Sequence, residues 1–266
     1  MKCKVLIGVV LLFSLVITVS VRCTSKEVAK EGFDIPVLMY HFFTKNSSRA
    51  GKYTISSTRL EEDMKYIKDN YETITSSDLV MYMYENKSVP SNSIIITVDD
   101  SSLSFYTIMY PLLKKYNLKV ILNVIGKYSD DNNGFHMSWN QLKEVEASGL
   151  VELGSHSYNL HEQSDGKYGM KIYKGENDTE YIKRIKEDLI LNNERLESLN
   201  GIKPISFTYP LGYFNDVLKK VIKEMGFLTS FSCKETLYNL EDLYNIPRFN
   251  RDGKLSTSVM FSKIYS

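Results

Sequence analysis

A chain of 266 residues suits one large domain or two small ones, and a hydrophobic content of 43% is enough to bury a sizeable core. Its 33 Lys+Arg against 32 Asp+Glu leave a net charge of +1, which excludes the basic footprint of a nucleic-acid-binding protein. Of its three cysteines, Cys3 and Cys23 flank an N-terminal apolar run and only Cys233 lies in the folded region, so an intradomain disulfide and a thiolate zinc site are excluded too.

Lys2 and Lys4 precede an apolar run over residues 5–21, the pattern of a signal peptide or membrane anchor. The run is at the short end of the roughly 17–25 residues that cross a bilayer. Cys23 raises lipid anchoring as an alternative, although Arg22 stands where lipoprotein signals place a small residue. Residues 1–23 are therefore expected to export the chain or hold it to the outer face of the membrane, 24–34 to form a polar linker, and 35–266 to form the folded domain.

Apolar-rich runs over 35–40, 94–98, 120–125, 151–153, 205–209 and 228–231 read as strands, and the first three are nearly continuous, as in strands buried on both faces. Helical patterns fall between them. Ser138 opens a capping box with Gln141, and Gly149 follows that helix. The segment 166–178 is polar and contains glycine, so it reads as a loop insertion. Ile182, Ile185, Leu189, Leu196 and Leu199 mark a longer helix, and Asn215 caps one that ends before Gly226. The alternation predicts a parallel α/β fold, either a barrel or a doubly wound sheet.

Two of the predicted strands run straight into polar groups. The first ends in Asp99 and Asp100, two adjacent carboxylates whose burial is costly unless a cation sits beside them or one of them caps the next helix. The second runs into His156 and His161, which hold half of the four histidines in the chain. Their spacing of five would not stack on one helix face, but a tight turn after a strand can bring both imidazoles to one point. One Asp and two His then make a facial metal site with open positions.

TVDDSS at 97–102 with HSYNLH at 156–161 resembles the NodB-type polysaccharide deacetylases, carbohydrate esterase family 4. PVLMYH at 36–41, the stretch 136–161 and FTYPLGYFN at 207–215 are similar to the branch that deacetylates poly-N-acetylglucosamine. The resemblance implies a distorted (β/α) barrel and hydrolysis of N-acetyl groups on an N-acetylated glycan, either peptidoglycan or poly-N-acetylglucosamine. It implies one divalent ion on Asp100, His156 and His161, with zinc expected and cobalt or manganese as alternatives. Asp99 becomes the general base, His41 the acid that protonates the leaving amine, and the Leu211 N–H a donor to the oxyanion. Asn123, Tyr209 and Arg248 are carried as sugar-binding candidates, and His136 matches no role. Two positions depart from the family. Ser101 follows the Asp pair where Gly is usual, and Thr208 stands where an arginine orients the base; Arg248 reads either as a substitute for that arginine or as a plain surface charge. The alternatives are a catalytically weak glycan-binding relative and an O-acetyl esterase.

Overall fold

The computed structural model describes residues 34–161, 163–164 and 167–265. The expected signal or anchor and nearly all of the linker lie outside the described residues. Among those described, no helix is long and apolar enough to cross a membrane.

Seven parallel strands form the main sheet: β1 (Val37–Tyr40), β2 (Ser93–Val98), β3 (Val120–Val124), β4 (Val151–Ser155), β5 (Ser206–Thr208), β6 (Thr229–Phe231) and β7 (Phe249–Asn250). Their order across the sheet is β6, β5, β4, β3, β2, β1, β7, and a short strand at Glu72–Thr73 pairs with the start of β2. The sheet curves into a half-barrel. Ile246 hydrogen-bonds to Ser230 and Ser232 at the β6 edge, and three residues later β7 pairs with β1 at the other edge.

Every residue of β1, β2 and β3 is buried, which is why these strands read as unbroken apolar runs. Their side chains still divide by period two. Ile94, Ile96, Val98, Val120, Leu122 and Val124 pack outward against helices, while Val37, Ile95 and Ile121 meet Phe231 and Ile246 on the inner face. Helices at Ser57–Asn70, Ser76–Tyr84, Tyr110–Tyr116, Trp139–Ala147, Asp178–Asn200, Asp216–Glu224 and Thr257–Ile264 carry the crossovers. The caps expected at Ser138 and Asn215 are present. The polar segment expected as a loop ends at Asn177, which caps the 23-residue helix Asp178–Asn200 with a reciprocal Glu180 bond. Because all the strands run one way, their C-terminal ends share one rim, the place where such sheets build their sites.

Candidate active site

The inner face of β2 changes from apolar to polar towards that rim: Ile95, then Thr97, then Asp99. By the same alternation Asp100 would follow Val98 outward. It does not, because the chain leaves the extended conformation there. Asp100 has φ 70° and Ser101 φ 47°, two successive residues in the left-handed region. Asp100 Oδ1 consequently lies 3.6 Å from His156 Nε2 and 3.5 Å from His161 Nε2. The ligand atoms of these three residues all fall within 4.8 Å of one another.

His156 is placed by two backbone groups. Its N–H donates to the Val124 carbonyl at 3.0 Å, and its Nδ1 lies 2.8 Å from the Thr208 carbonyl oxygen. A carbonyl only accepts, so Nδ1 carries the proton and Nε2 keeps its lone pair towards Asp100. Ser157, at φ 69°, turns the chain so that His161 returns to the same point. Burial drives the His156 pKa down to about 3, which keeps the ring neutral. Burial, together with the Asp99 charge and opposed by His41, pushes the Asp100 carboxyl up to about 6. Asp100 Oδ1 is buried with no hydrogen-bond partner. A neutral His156 imidazole, the His161 imidazole beside it and one orphaned carboxylate oxygen are a donor set that fits a divalent cation, and these residues could hold one.

Asp99 sits in a different environment. Arg248 grips it with a fork, Nη1 to Oδ1 at 2.8 Å and Nη2 to Oδ2 at 2.9 Å, and the Asn123 amide donates to Oδ1 at 2.7 Å. Arg248 is itself held by the Ser232 carbonyl and the Thr97 hydroxyl. Burial alone would raise the Asp99 pKa. Arg248, His156 and His41 outweigh it and hold the carboxyl below the usual carboxylate range. Gly154 leaves the room for this arrangement, since a Cβ there would stand 2.5 Å from Asn123 Oδ1.

The sugar-contact expectation for Asn123, Tyr209 and Arg248 is corrected here. All three are fully buried. Asn123 and Arg248 lie beneath the site on Asp99, and the Tyr209 hydroxyl bonds to the Tyr244 carbonyl and to Ser230. Arg248 therefore stands as the substitute arginine would, on the base candidate. Nothing near Arg248 in the chain signals this, because its partner is 149 residues away. Asn123 had a visible signal: an amide in a strand whose every other residue is apolar.

His41 follows β1 at the same rim. Its Nε2 is 3.9 Å from Asp99 Oδ2, and its ring lies 4.8 Å from that of Tyr53. Burial lowers its pKa, with the two carboxylates opposing. Leu211 has φ 57° in the tight turn Pro210–Gly212 after β5. His136 stacks on Tyr128 at 4.3 Å and is not among the three clustered ligands.

Ser101 is fully buried at its left-handed φ, and its Oγ has no hydrogen-bond partner. A non-glycine residue in that region costs roughly 1–2 kcal/mol, which glycine avoids at some expense in unfolded-chain entropy. Ser101→Gly is expected to raise stability by about 1 kcal/mol, or about 2–4 °C in Tm for a domain of this size. Thermal unfolding of the two proteins checks this; a Tm at or below that of the wild type would show that Ser101 is unstrained.

Comparison with known proteins agrees with this architecture. The polysaccharide deacetylase family profile matches residues 86–230, a little over half of the chain. The chain is 25% identical over 222 residues to the poly-beta-1,6-N-acetyl-D-glucosamine N-deacetylase of Escherichia coli K12, covering 73% of this chain and 33% of that protein. It thus spans about a third of the length of that relative. It is 28% identical over 213 residues to the Staphylococcus aureus MSSA476 protein of the same name, covering 78% of this chain and 71% of that one. Among solved structures, a de-N-acetylase from Aggregatibacter actinomycetemcomitans superposes with a TM-score of 0.77 at 23% identity, covering 86% of this chain and 99% of that one. IcaB from Ammonifex degensii superposes at 0.72 with 27% identity, covering 82% and 91%. With its two strand-end motifs joined on one rim and the family profile matched across them, the chain belongs to the polysaccharide deacetylase family.

Proposed function

We propose that this protein is a metal-dependent N-deacetylase acting on N-acetylglucosamine units of a polysaccharide outside the cell. The observation that carries the reading is the meeting of Asp100, His156 and His161 next to a separately held Asp99 on a single rim. The names of the E. coli and S. aureus relatives support poly-N-acetylglucosamine as the substrate class, with peptidoglycan as the second candidate. The basic, then apolar, N-terminus supports export and attachment at the membrane surface.

A divalent ion held by Asp100, His156 and His161, zinc by the resemblance to the family, would supply the positive charge that polarises an amide carbonyl and acidifies water. The protein does the rest. Asp99 takes a proton at Oδ2, the oxygen on the His41 side, while Arg248 and Asn123 fix its plane. His41 Nε2, 3.9 Å from Asp99 Oδ2, passes that proton on to the departing amine, which returns both groups to their starting states, and the Leu211 N–H donates to the oxyanion. Once the acetyl group is transferred to water, acetate and a free amine remain.

The test is acetate release by the purified protein from N-acetylglucosamine oligomers, peptidoglycan and O-acetylated xylan. Release from the oligomers is expected, lost on chelation and restored by zinc. His156→Ala should hold far less than the one ion per chain expected of the wild type. Oligomer binding without acetate would support the weak-relative reading, and release only from xylan would support the esterase.

A further inference from the structure

The helix Asp178–Asn200 buries a stripe formed by Tyr181, Ile185, Leu189, Asn192 and Leu196. Two polar side chains on or beside that stripe, Asp188 and Asn192, stand one helical turn apart. A carboxylate turned inward from a helix costs stability unless hydrogen-bonded, so its partners indicate what it is for.

Those partners lie in the loop between the two imidazoles. Asp188 Oδ1 accepts the Tyr158 N–H at 2.7 Å, and Oδ2 accepts the Asn159 N–H at 2.8 Å. The same loop is held from its other side. The Ser157 and Tyr158 carbonyls accept from the Gly126 and Lys127 amides at 3.3 and 3.0 Å. The Ser157 hydroxyl accepts the Leu160 N–H at 3.1 Å, closing the turn. Asn192 completes the support by donating to Ser155 Oγ at 2.8 Å and to the Val124 carbonyl at 3.2 Å, the carbonyl that also receives the His156 N–H. Gly126 is cut back for this contact: a Cβ there would stand 2.4 Å from Asn192 Oδ1 and 2.8 Å from the Tyr158 ring.

His161 reaches the site only because the chain reverses at Ser157, whose φ of 69° is disfavoured for a serine. Left alone, such a turn relaxes towards extended angles and carries His161 away from His156. A carboxylate bridging two successive amides just past the turn opposes that relaxation, because both bonds are made only in the reversed conformation. We infer that Asp188 is a positioning residue for the metal site, fixing the separation of His156 and His161 through the backbone of the loop between them. It touches neither imidazole nor substrate. This inference rests on the metal reading above.

Zinc affinity tests it, measured by competition with a chromophoric chelator on the metal-free full chain. Asp188→Ala is expected to bind zinc about 10–100-fold more weakly, the usual size of effect when the support behind metal ligands is removed. Asp188→Asn keeps one acceptor oxygen and should fall between that variant and the wild type; it also serves if the alanine variant does not fold. The cobalt-loaded variants should show a shifted visible absorption, reporting altered ligand geometry. Leu196→Ala is the control, since it lies on the same helix and loses core packing without touching the loop. It should lower the Tm while leaving zinc affinity within about threefold of the wild type, a change of less than 1 kcal/mol. Wild-type zinc affinity and cobalt spectrum in the Asp188 variants would overturn the assignment, as would an equal loss of affinity in Leu196→Ala. Failure of the wild type to bind zinc or cobalt would overturn the metal reading and this inference with it.

Discussion

Arg248→Met should destabilise the protein by about 3–5 kcal/mol and remove nearly all acetate release. Arg248 and Asp99 are both buried, and the pair is bidentate. Removing one partner of such a pair leaves the other charge stranded in a low-dielectric site, which is where the cost arises. The pH dependence identifies that cause. In the wild type the Asp99 pKa is depressed, so its contribution is complete above an unfolded value near 4 and is lost only as pH falls through the lower folded value. Without Arg248, burial raises the folded pKa above the unfolded one, and stability then declines as pH rises from about 4 through the new value. Urea unfolding of the metal-free proteins at pH 5 and pH 8 should show a smaller gap between variant and wild type at pH 5. Adding Asp99→Asn to the variant removes the stranded charge and should recover part of the loss. An Arg248→Met protein as stable as the wild type at both pH values would show that Asp99 does not depend on this partner.

The same pair shows which parts of the site could be read from the sequence. Asp99 and Asp100 stand out because they directly follow an apolar run, and His156 and His161 because they lie just past another predicted strand; a local pattern reports a local event. A strand buried on both faces has to be apolar, so its polar end is conspicuous. The partners that tune these groups come from distant segments. Arg248 resembles any other arginine until the chain folds back beside β1. Asp63 and Arg251, a second buried pair bonded to Tyr40 and Thr257, were equally invisible, 188 residues apart. The helices Ser57–Asn70, Ser76–Tyr84 and Thr257–Ile264 were not read from the sequence; the first of them carries Asp63. Backbone angle is the other hidden quantity. Ser101 stands out in the sequence only as a serine where Gly is usual. Its φ of 47° shows the strain, since nothing in a serine's identity announces a left-handed position.

Asp99→Asn is expected to lower kcat for acetate release by about 10²–10⁴-fold while the protein still takes up close to one zinc per chain. The first half follows from position. Oδ1 is occupied by Asn123 and one arm of Arg248, whereas Oδ2 receives only the other arm and lies on the His41 side. A carboxylate held below its usual pKa is ionised at every working pH but is a weak base, so it could take a proton only from water that a bound cation would acidify towards neutrality. Asparagine in that place offers an amide whose nitrogen lone pair is delocalised and cannot receive a proton. The second half follows from the ligand set, which includes Asp100 and not Asp99. The structure adds a cost that activity alone would hide. The asparagine oxygen can face only one arm of the Arg248 fork, and its NH₂ meets the other arm donor to donor, so the buried guanidinium loses both its counter-charge and a hydrogen bond. A drop in turnover could then reflect unfolding. Zinc content and near-UV circular dichroism on the same sample separate the two: a folded, zinc-loaded, inactive variant assigns the proton to Asp99. Acetate release at the wild-type rate from that sample would remove Asp99 from the role of base and leave it as the counter-ion of Arg248.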